Sequence, residues 1–347
     1  MSLINTYLQQ IRTEFPQPIQ RDEWRFTRYG MLTAVVEMTE SAESLITQDL
    51  KEKAMNSEGR DLGIPVMDIG DDVVLKNQRS CTISDLENTT QIITLNWSTF
   101  VADISMCPAE YKKNEVKYLQ DLNAKLKKVD NALCKGVEDL IFAKLDTDKS
   151  GIYNSALVGT DYPLTGNALQ VTQAQQEFFF NDLMTIMNED DFYADSYKIL
   201  ASTGMMSPVN KFINQGAGND TNTNFQFAGL DFRFSNHHVV GAGNRSSAFV
   251  MPNGSIGILS RIAVDSLEGH KSTTGHEWGT MKLEKFPFEI GYLYKSECTD
   301  KSATVGQEHL EATLKENWQL SVDIGLVTSY NSDPATKAGA IKKFEFQ

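Results

Sequence analysis

Between positions 118 and 145 apolar residues return at steps of three and four: Tyr118, Leu119, Leu122, Leu126, Val129, Leu133, Val137, Leu140, Ile141 and Leu145. This is the period of a helix with one buried stripe. It predicts a single helix over about residues 109–145, with Pro108 and Glu110 suited to its start. At about 1.5 Å per residue such a helix spans on the order of 50 Å, longer than a typical globular helix. Gly136 alone interrupts it, at a cost of roughly 1 kcal/mol that packing can absorb. Lys112, Lys113, Lys117, Lys125, Lys127 and Lys128 fall on the other face, which is expected to be solvated or to meet a partner.

The flanking segments differ in texture. Residues 1–60 are polar, with the prolines Pro16 and Pro18 and one apolar cluster, "MLTAVVEM". They read as an arm carrying one helix. Residues 61–106 turn β-like: "DVVLKN", "SCTISDL" and "TTQIITLNWSTFVADIS" alternate apolar and polar side chains, enough for a long hairpin. After residue 150 comes a loop, then a second helix, "QAQQEFFFNDLMTIMNEDD", expected to be capped by Thr172. Strands are expected in "SYKILAS", "FAGLDFRFS", "SSAFVMP" and "SIGILSRIAV", with a short helix in "SPVNKFINQ" and a tight turn at Asn253-Gly254. Strands then dominate: "GTMKLEKFPFEIGYLYKSE", "NWQLSVDIGLVTSY" and "AIKKFEF". No repeat of 20 to 50 residues is visible.

Composition excludes several classes. With 347 residues and a net charge of −14 the chain shows no basic patch, which argues against sequence-specific nucleic-acid readout but not against diffuse contact with nucleic acid. Cys81, Cys107, Cys134 and Cys298 are too far apart in sequence to form a zinc-ligand pair, and are expected to be reduced. The first residues lack the pattern of a secretory signal, and no stretch reaches the ~18 apolar residues of a membrane span. The expected setting is cytoplasm.

Candidate sites fare poorly one by one. Asp146, Asp148, Ser150 and Gly151 imitate the first half of an EF-hand loop, but the twelfth position is Leu157, which cannot ligate. The bland reading is a helix end. His237-His238 would point to opposite faces of a strand. Gly241 and Gly243 resemble part of a phosphate loop without its lysine or its helix. His270, His276 and Glu277 lie close in sequence in "GHKSTTGHEWG" and form the one candidate metal-ligand set, although HExxH is absent. Asp71-Asp72 and Asp190-Asp191 are sequence neighbours rather than converging carboxylates. No G-x-S-x-G elbow is present. The reading is therefore no catalytic, cofactor-binding or metal residue, no cofactor, and a chain that is not an enzyme.

The order of parts resembles the major capsid proteins of tailed bacteriophages, an α+β architecture known as the Hong Kong 97-type capsid fold. Residues 1–60 match the N-terminal arm, and 61–106 the extended loop and lead-in strand ("GIPVMDIGDDVVLKNQRSCTISDLENTTQIITLNW"). "AEYKKNEVKYLQDLNAKLKKVDNALCKGVEDLIFAKL" is similar to the spine helix, in a peripheral domain at 107–165. Residues 166–290 match the axial domain and 291–347 the returning strands. The resemblance rests on layout over nearly the whole chain, so no functional residue is carried over and no intersubunit lysine–asparagine cross-link is placed.

That resemblance implies a subunit that assembles with itself, as hexamers and pentamers, into an icosahedral shell around double-stranded DNA. It also implies a portal and a separate scaffolding or decoration protein as partners, no membrane, and a place in the virion after assembly in a bacterial cytoplasm. Two alternatives stand beside it. One is an encapsulin-like compartment enclosing protein cargo; the other is a metal-dependent enzyme using His270, His276 and Glu277.

Overall fold

The computed structural model describes residues 29–57, 61–68, 89–111, 118–215, 225–227, 229–271, 275–300 and 312–347. Most of the arm's first half and the tip of the extended loop, with Asp71-Asp72 and Cys81, lie outside these. The arm helix expected from "MLTAVVEM" is α1 (Gly30–Glu40), and among the described residues of the arm a further helix, α2 (Gln48–Met55), follows it. Helix α2 starts at Thr47, whose hydroxyl accepts from the Leu50 N–H. Helix α1 has no such cap, and its free amides find a partner elsewhere in the fold. It is no loose arm element either, because Met31, Leu32, Ala34, Val35 and Met38 are all buried in the main core.

Strands β1 (Gly63–Asp68) and β2 (Thr89–Thr94) pair antiparallel as a two-stranded ribbon. The chain breaks at Leu95 and continues as β3 (Trp97–Met106). A 3₁₀ turn, Pro108–Tyr111, follows, and the long helix is then α3 (Tyr118–Asp148) within the described residues. It runs past the expected end at Leu145, so Asp146 and Asp148 sit in its last turn. Gly136 has a steric reason: a Cβ there would lie 2.7 Å from the Phe100 ring of β3.

Beyond α3 come β4 (Leu164–Thr165) and β5 (Ala168–Val171), joined through Gly166 and Asn167, both at positive φ as a tight hairpin turn requires. Helix α4 (Phe179–Glu189) starts later than the sequence suggests. Thr172 does not cap it; it bonds Gln175, opening a 3₁₀ turn at Gln175–Glu177. Then follow β6 (Tyr197–Ser202), α5 (Met206–Gln215), β7 (Phe225–Phe227) and β8 (Leu230–Ser235). The single strand expected in "FAGLDFRFS" is thus a hairpin, turned at Gly229 with φ 81°. The remaining elements are β9 (Ser246–Pro252), β10 (Ile256–Arg261), α6 (Val264–Glu268), β11 (His276–Lys282), β12 (Glu289–Asp300), β13 (Ala312–Thr328) and β14 (Lys342–Phe346).

Two larger sheets organise these strands. One is five-stranded, in the order β10-β13-β12-β11 with β3 added along β13. The other is seven-stranded, β4-β5-β14-β9-β6-β8-β7. The Asn253-Gly254 turn forms as expected, with Gly254 at φ 80°. It does not close a hairpin, however, because β9 belongs to the second sheet and β10 to the first.

The α3 stripe packs against the five-stranded sheet. Trp318, Leu320, Val322 and Ile324 alternate along β13, and Ile104 and Met106 along β3, to form one cluster with Leu126, Leu133, Val137 and Ile141. The seven-stranded sheet is buried on both faces along β5, β14, β9 and β6. Along β9, Phe249 and Met251 join that cluster, whereas Ala248 and Val250 join a second one with Phe179, Leu183, Ile199 and Phe344. This explains why the centre of this strand, "AFVM", is continuously apolar rather than alternating. Ile141 is fully buried on the C-terminal part of the stripe. Ile141→Ala is expected to cost about 2–5 kcal/mol, read as a lowered denaturation midpoint with an unchanged slope against denaturant.

Candidate functional site

Two carboxylates sit on the apolar stripe of α3, where the helical period alone would put apolar groups. Glu138 is completely buried; it accepts from the Leu32 N–H at 2.7 Å and from the Ser235 hydroxyl. It therefore supplies the missing cap of α1 from another helix, with favourable charge against the helix dipole. Burial nevertheless pushes its pKa up to about 7. Asp130 accepts the N–H groups of Lys285 and Phe286, both at 2.9 Å, and burial raises its pKa as well. These groups fasten α3 to the chain around it.

The last strand carries two further buried charges. Lys342 pairs with Asp190 in the second core, beneath the ring of Tyr153. Lys343, on the opposite face, reaches Asp146 at 2.8 Å and Glu345 at 3.3 Å. Asp146 thus holds a strand rather than calcium, and its carboxyl lies below the usual range because its bonds to Lys343 and Lys149 outweigh burial, the largest single influence. Asp148 pairs with Lys144 at 2.8 Å and accepts from Thr328 at 2.5 Å. A further network binds α1 to the second sheet: Glu37 pairs with Arg233 at 2.7 Å and with Lys198 at 3.1 Å.

The histidine pair is divided by its surroundings. His237 stacks on Tyr29 and lies 3.9 Å from Asp139. His238 is buried among Phe142 and Phe249, its Nδ1 2.7 Å from the Ser247 hydroxyl, and burial lowers its pKa to about 3. Gly241 packs against the Glu345 carboxylate, where a phosphate would be repelled. The candidate metal set is not brought together as ligands. His270 bonds Glu268 at 2.9 Å, Glu277 pairs with Lys271 at 3.4 Å, and His276 neighbours Trp278 on β11. Among the described residues no group of three or more His, Cys, Asp or Glu side chains could hold a metal ion. No helix of the described residues is long and apolar enough to cross a membrane.

What the surface offers instead is projecting strand. In the β1–β2 ribbon Ile64 faces Ile93 and Pro65 faces Ile92. Ile64 packs into a third core cluster with Ile46, Leu50 and Leu95, whereas Ile92 on the opposite side is 71% exposed. Between this ribbon and the end of α3 lies an open groove of about 520 Å³, lined by Val66, Leu140, Lys144 and Tyr330 among others. The β12–β13 pairing continues to Asp300↔Ala312, but β11 accompanies β12 only to Lys295 and β3 accompanies β13 only from Glu316. The rungs from Glu297↔Lys315 onward are two-stranded among the described residues, over roughly 10 Å at ~3.4 Å per residue. Leu314 there is 46% exposed. Local alternation in the sequence marks the first ribbon; the second is hidden from it, since strand length does not reveal which rungs lack a third strand.

No protein-family model matches the sequence, and no curated protein is similar to it. Solved structures are. A chain of the cyanophage Pam1 capsid asymmetric unit superposes with a TM-score of 0.53, over 96% of this chain and 99% of that one, at 12% identity. A chain of the cyanophage A-1(L) capsid asymmetric unit gives 0.53 over 94% and 95%, at 10% identity. A protein of Mycobacterium phage Che8 gives 0.52 over 95% and 96%, at 9% identity. End to end, and without a sequence signature to announce it, this chain is built on the fold of phage capsid proteins.

Proposed function

We propose that the chain is the major capsid protein of a tailed phage, assembling with itself into the icosahedral shell around the DNA. The whole-length likeness to chains of two phage capsids carries this reading. In Hong Kong 97 terms, residues 1–60 are the arm, 61–106 the extended loop and lead-in strand, 107–165 the peripheral domain with the spine helix, 166–290 the axial domain, and 291–347 the returning strands of the peripheral and axial domains. The two ribbons give the assembly chemistry. Among the described residues each carries an exposed apolar side chain and strand edges that a neighbouring copy can cover. Closed symmetry then sums many modest contacts. The net charge of −14 keeps free subunits apart until those contacts align. The role is structural rather than catalytic, its place is the virion, and portal and scaffolding or decoration proteins are its further partners.

The test is expression of the full chain followed by light scattering and negative-stain electron microscopy. Hexamers, pentamers or closed shells support the reading; a monomer across salt and crowding conditions overturns it. Nuclease-protected DNA in phage-derived particles separates a genome shell from a compartment holding protein. Ile64 and Leu95 belong to a core cluster, so the loop is best tested by replacing only residues 69–88 with a short turn. The expected outcome is a soluble subunit that no longer closes shells; shells of ordinary size and yield would refute the loop's role.

A further inference from the structure

We infer that Lys342 and Asp190 are a self-modifying pair, which condenses to an intramolecular amide joining the last strand to the end of helix α4. Both side chains are 0% exposed, and Lys342 Nζ is in hydrogen-bond contact with Asp190 Oδ2. The ring centroids of Tyr153 and Phe192 lie 4.5 and 5.4 Å from the same nitrogen. An ion pair in such an enclosure bears a desolvation penalty of several kcal/mol per charge, which a neutral amide escapes. A lysine desolvated among apolar groups is also an activated nucleophile, and burial here lowers the Lys342 pKa.

The geometry supplies the other requirements of an acyl transfer. Asp190 Oδ1 accepts the backbone N–H of Asn154 at 2.5 Å, a fixed donor to the oxygen that gathers charge when the carbonyl carbon is attacked. Both partners are held on ordered backbone. Lys342 is paired with Val250 across β14–β9, and Asp190 closes α4 with its N–H on the Ile186 carbonyl. An amine touching one carboxylate oxygen is close to the attack distance of about 3–3.5 Å from the carbon.

The step balances without a co-reactant. The ammonium passes one proton to Oδ2, leaving a neutral amine and a carboxylic acid. The Nζ lone pair forms the N–C bond to Asp190 Cγ, a second proton moves from nitrogen to the same oxygen, the C–O bond breaks and water leaves. By contrast, the other buried lysine of this strand, Lys343, has two carboxylates around it, Asp146 and Glu345, and Asp146 is also bonded by Lys149.

The readout is the intact mass of the full chain under denaturing conditions, followed by proteolytic peptide mapping. The expected result is a mass lower than that of the sequence by one water, about 18 Da, and a branched peptide joining the Asp190 and Lys342 segments. In Lys342→Met the deficit should vanish, whether or not that variant folds, because mass does not depend on folding. A folded wild-type chain at full sequence mass after prolonged incubation at 37 °C overturns the inference. So does a deficit that maps anywhere other than this pair.

Discussion

At pH 8, Glu138→Gln is expected to make the folded chain more stable than the wild type, by up to about 3 kcal/mol, and the advantage should shrink to nothing near pH 4. The pKa of Glu138 rises from 4.5 in the open chain to about 7 in the fold, and each unit is worth about 1.4 kcal/mol. A raised carboxyl pKa means that the folded chain binds the proton more tightly than the unfolded one. Stability from this group is therefore full below about 4.5, falls as pH rises through the interval to 7, and is lost above it. Glutamine removes that dependence while keeping an oxygen for the Leu32 N–H and a donor for Ser235.

His238 works in the opposite sense. Its folded pKa is depressed to about 3, so its stabilising effect is present above about 6.5 and lost as pH falls. The informative quantity is thus the difference between wild type and variant in urea denaturation, measured at half-unit steps from pH 4 to 8. A difference constant across that range would remove Glu138 as the titrating group.

Gly30→Ala is the second large effect, and its sign reverses the usual rule. Alanine in place of glycine in a helix ordinarily gains up to about 1 kcal/mol. Here a Cβ would stand 2.2 Å from the Phe234 carbonyl oxygen, a backbone atom that cannot rotate away. Tyr29 and Ser235 form an isolated bridge at this point, so α1 begins against the end of β8. The expected cost is about 3 kcal/mol, the upper range of overpacking, as α1 is levered from Glu138. Equal denaturation midpoints for variant and wild type would show that α1 does not dock there.

The helical stripe of α3 is legible in the sequence because its burial is one-sided and long, which fixes a 3.6-residue period. The same period also carries a message that is easy to overlook. Asp130 and Glu138 fall on the stripe with Leu126, Leu133, Val137 and Ile141, so helical spacing by itself sets two carboxylates among core residues. Their partners cannot be read that way. Leu32, Ser235, Lys285 and Phe286 are about a hundred residues or more distant in sequence and contribute mostly backbone groups, which leave no trace in residue type. The sheets are legible as strands but not as sheets, since pairing partners are set by the fold and not by local alternation. By residue type alone the "KK" of the last strand belongs on a surface. Only burial on both sheet faces reveals that both lysines are enclosed and paired with acids, Lys342 with Asp190 and Lys343 with Asp146 and Glu345.

The position of β14 has a consequence in time as well as in space. It lies between β5, which it meets in parallel, and β9, which it meets antiparallel. An interior place in the seven-stranded sheet is thus filled by residues that leave the ribosome after the sheet's other described strands. Until residue 342 emerges, β5 and β9 face each other across a gap with unpaired backbone groups, and the Phe179 cluster lacks Phe344 and Phe346. A polypeptide stopped short of that point cannot complete the sheet. Closure of that core therefore waits on the non-local pairing of β14 with β5 and β9, whichever of the earlier elements form first.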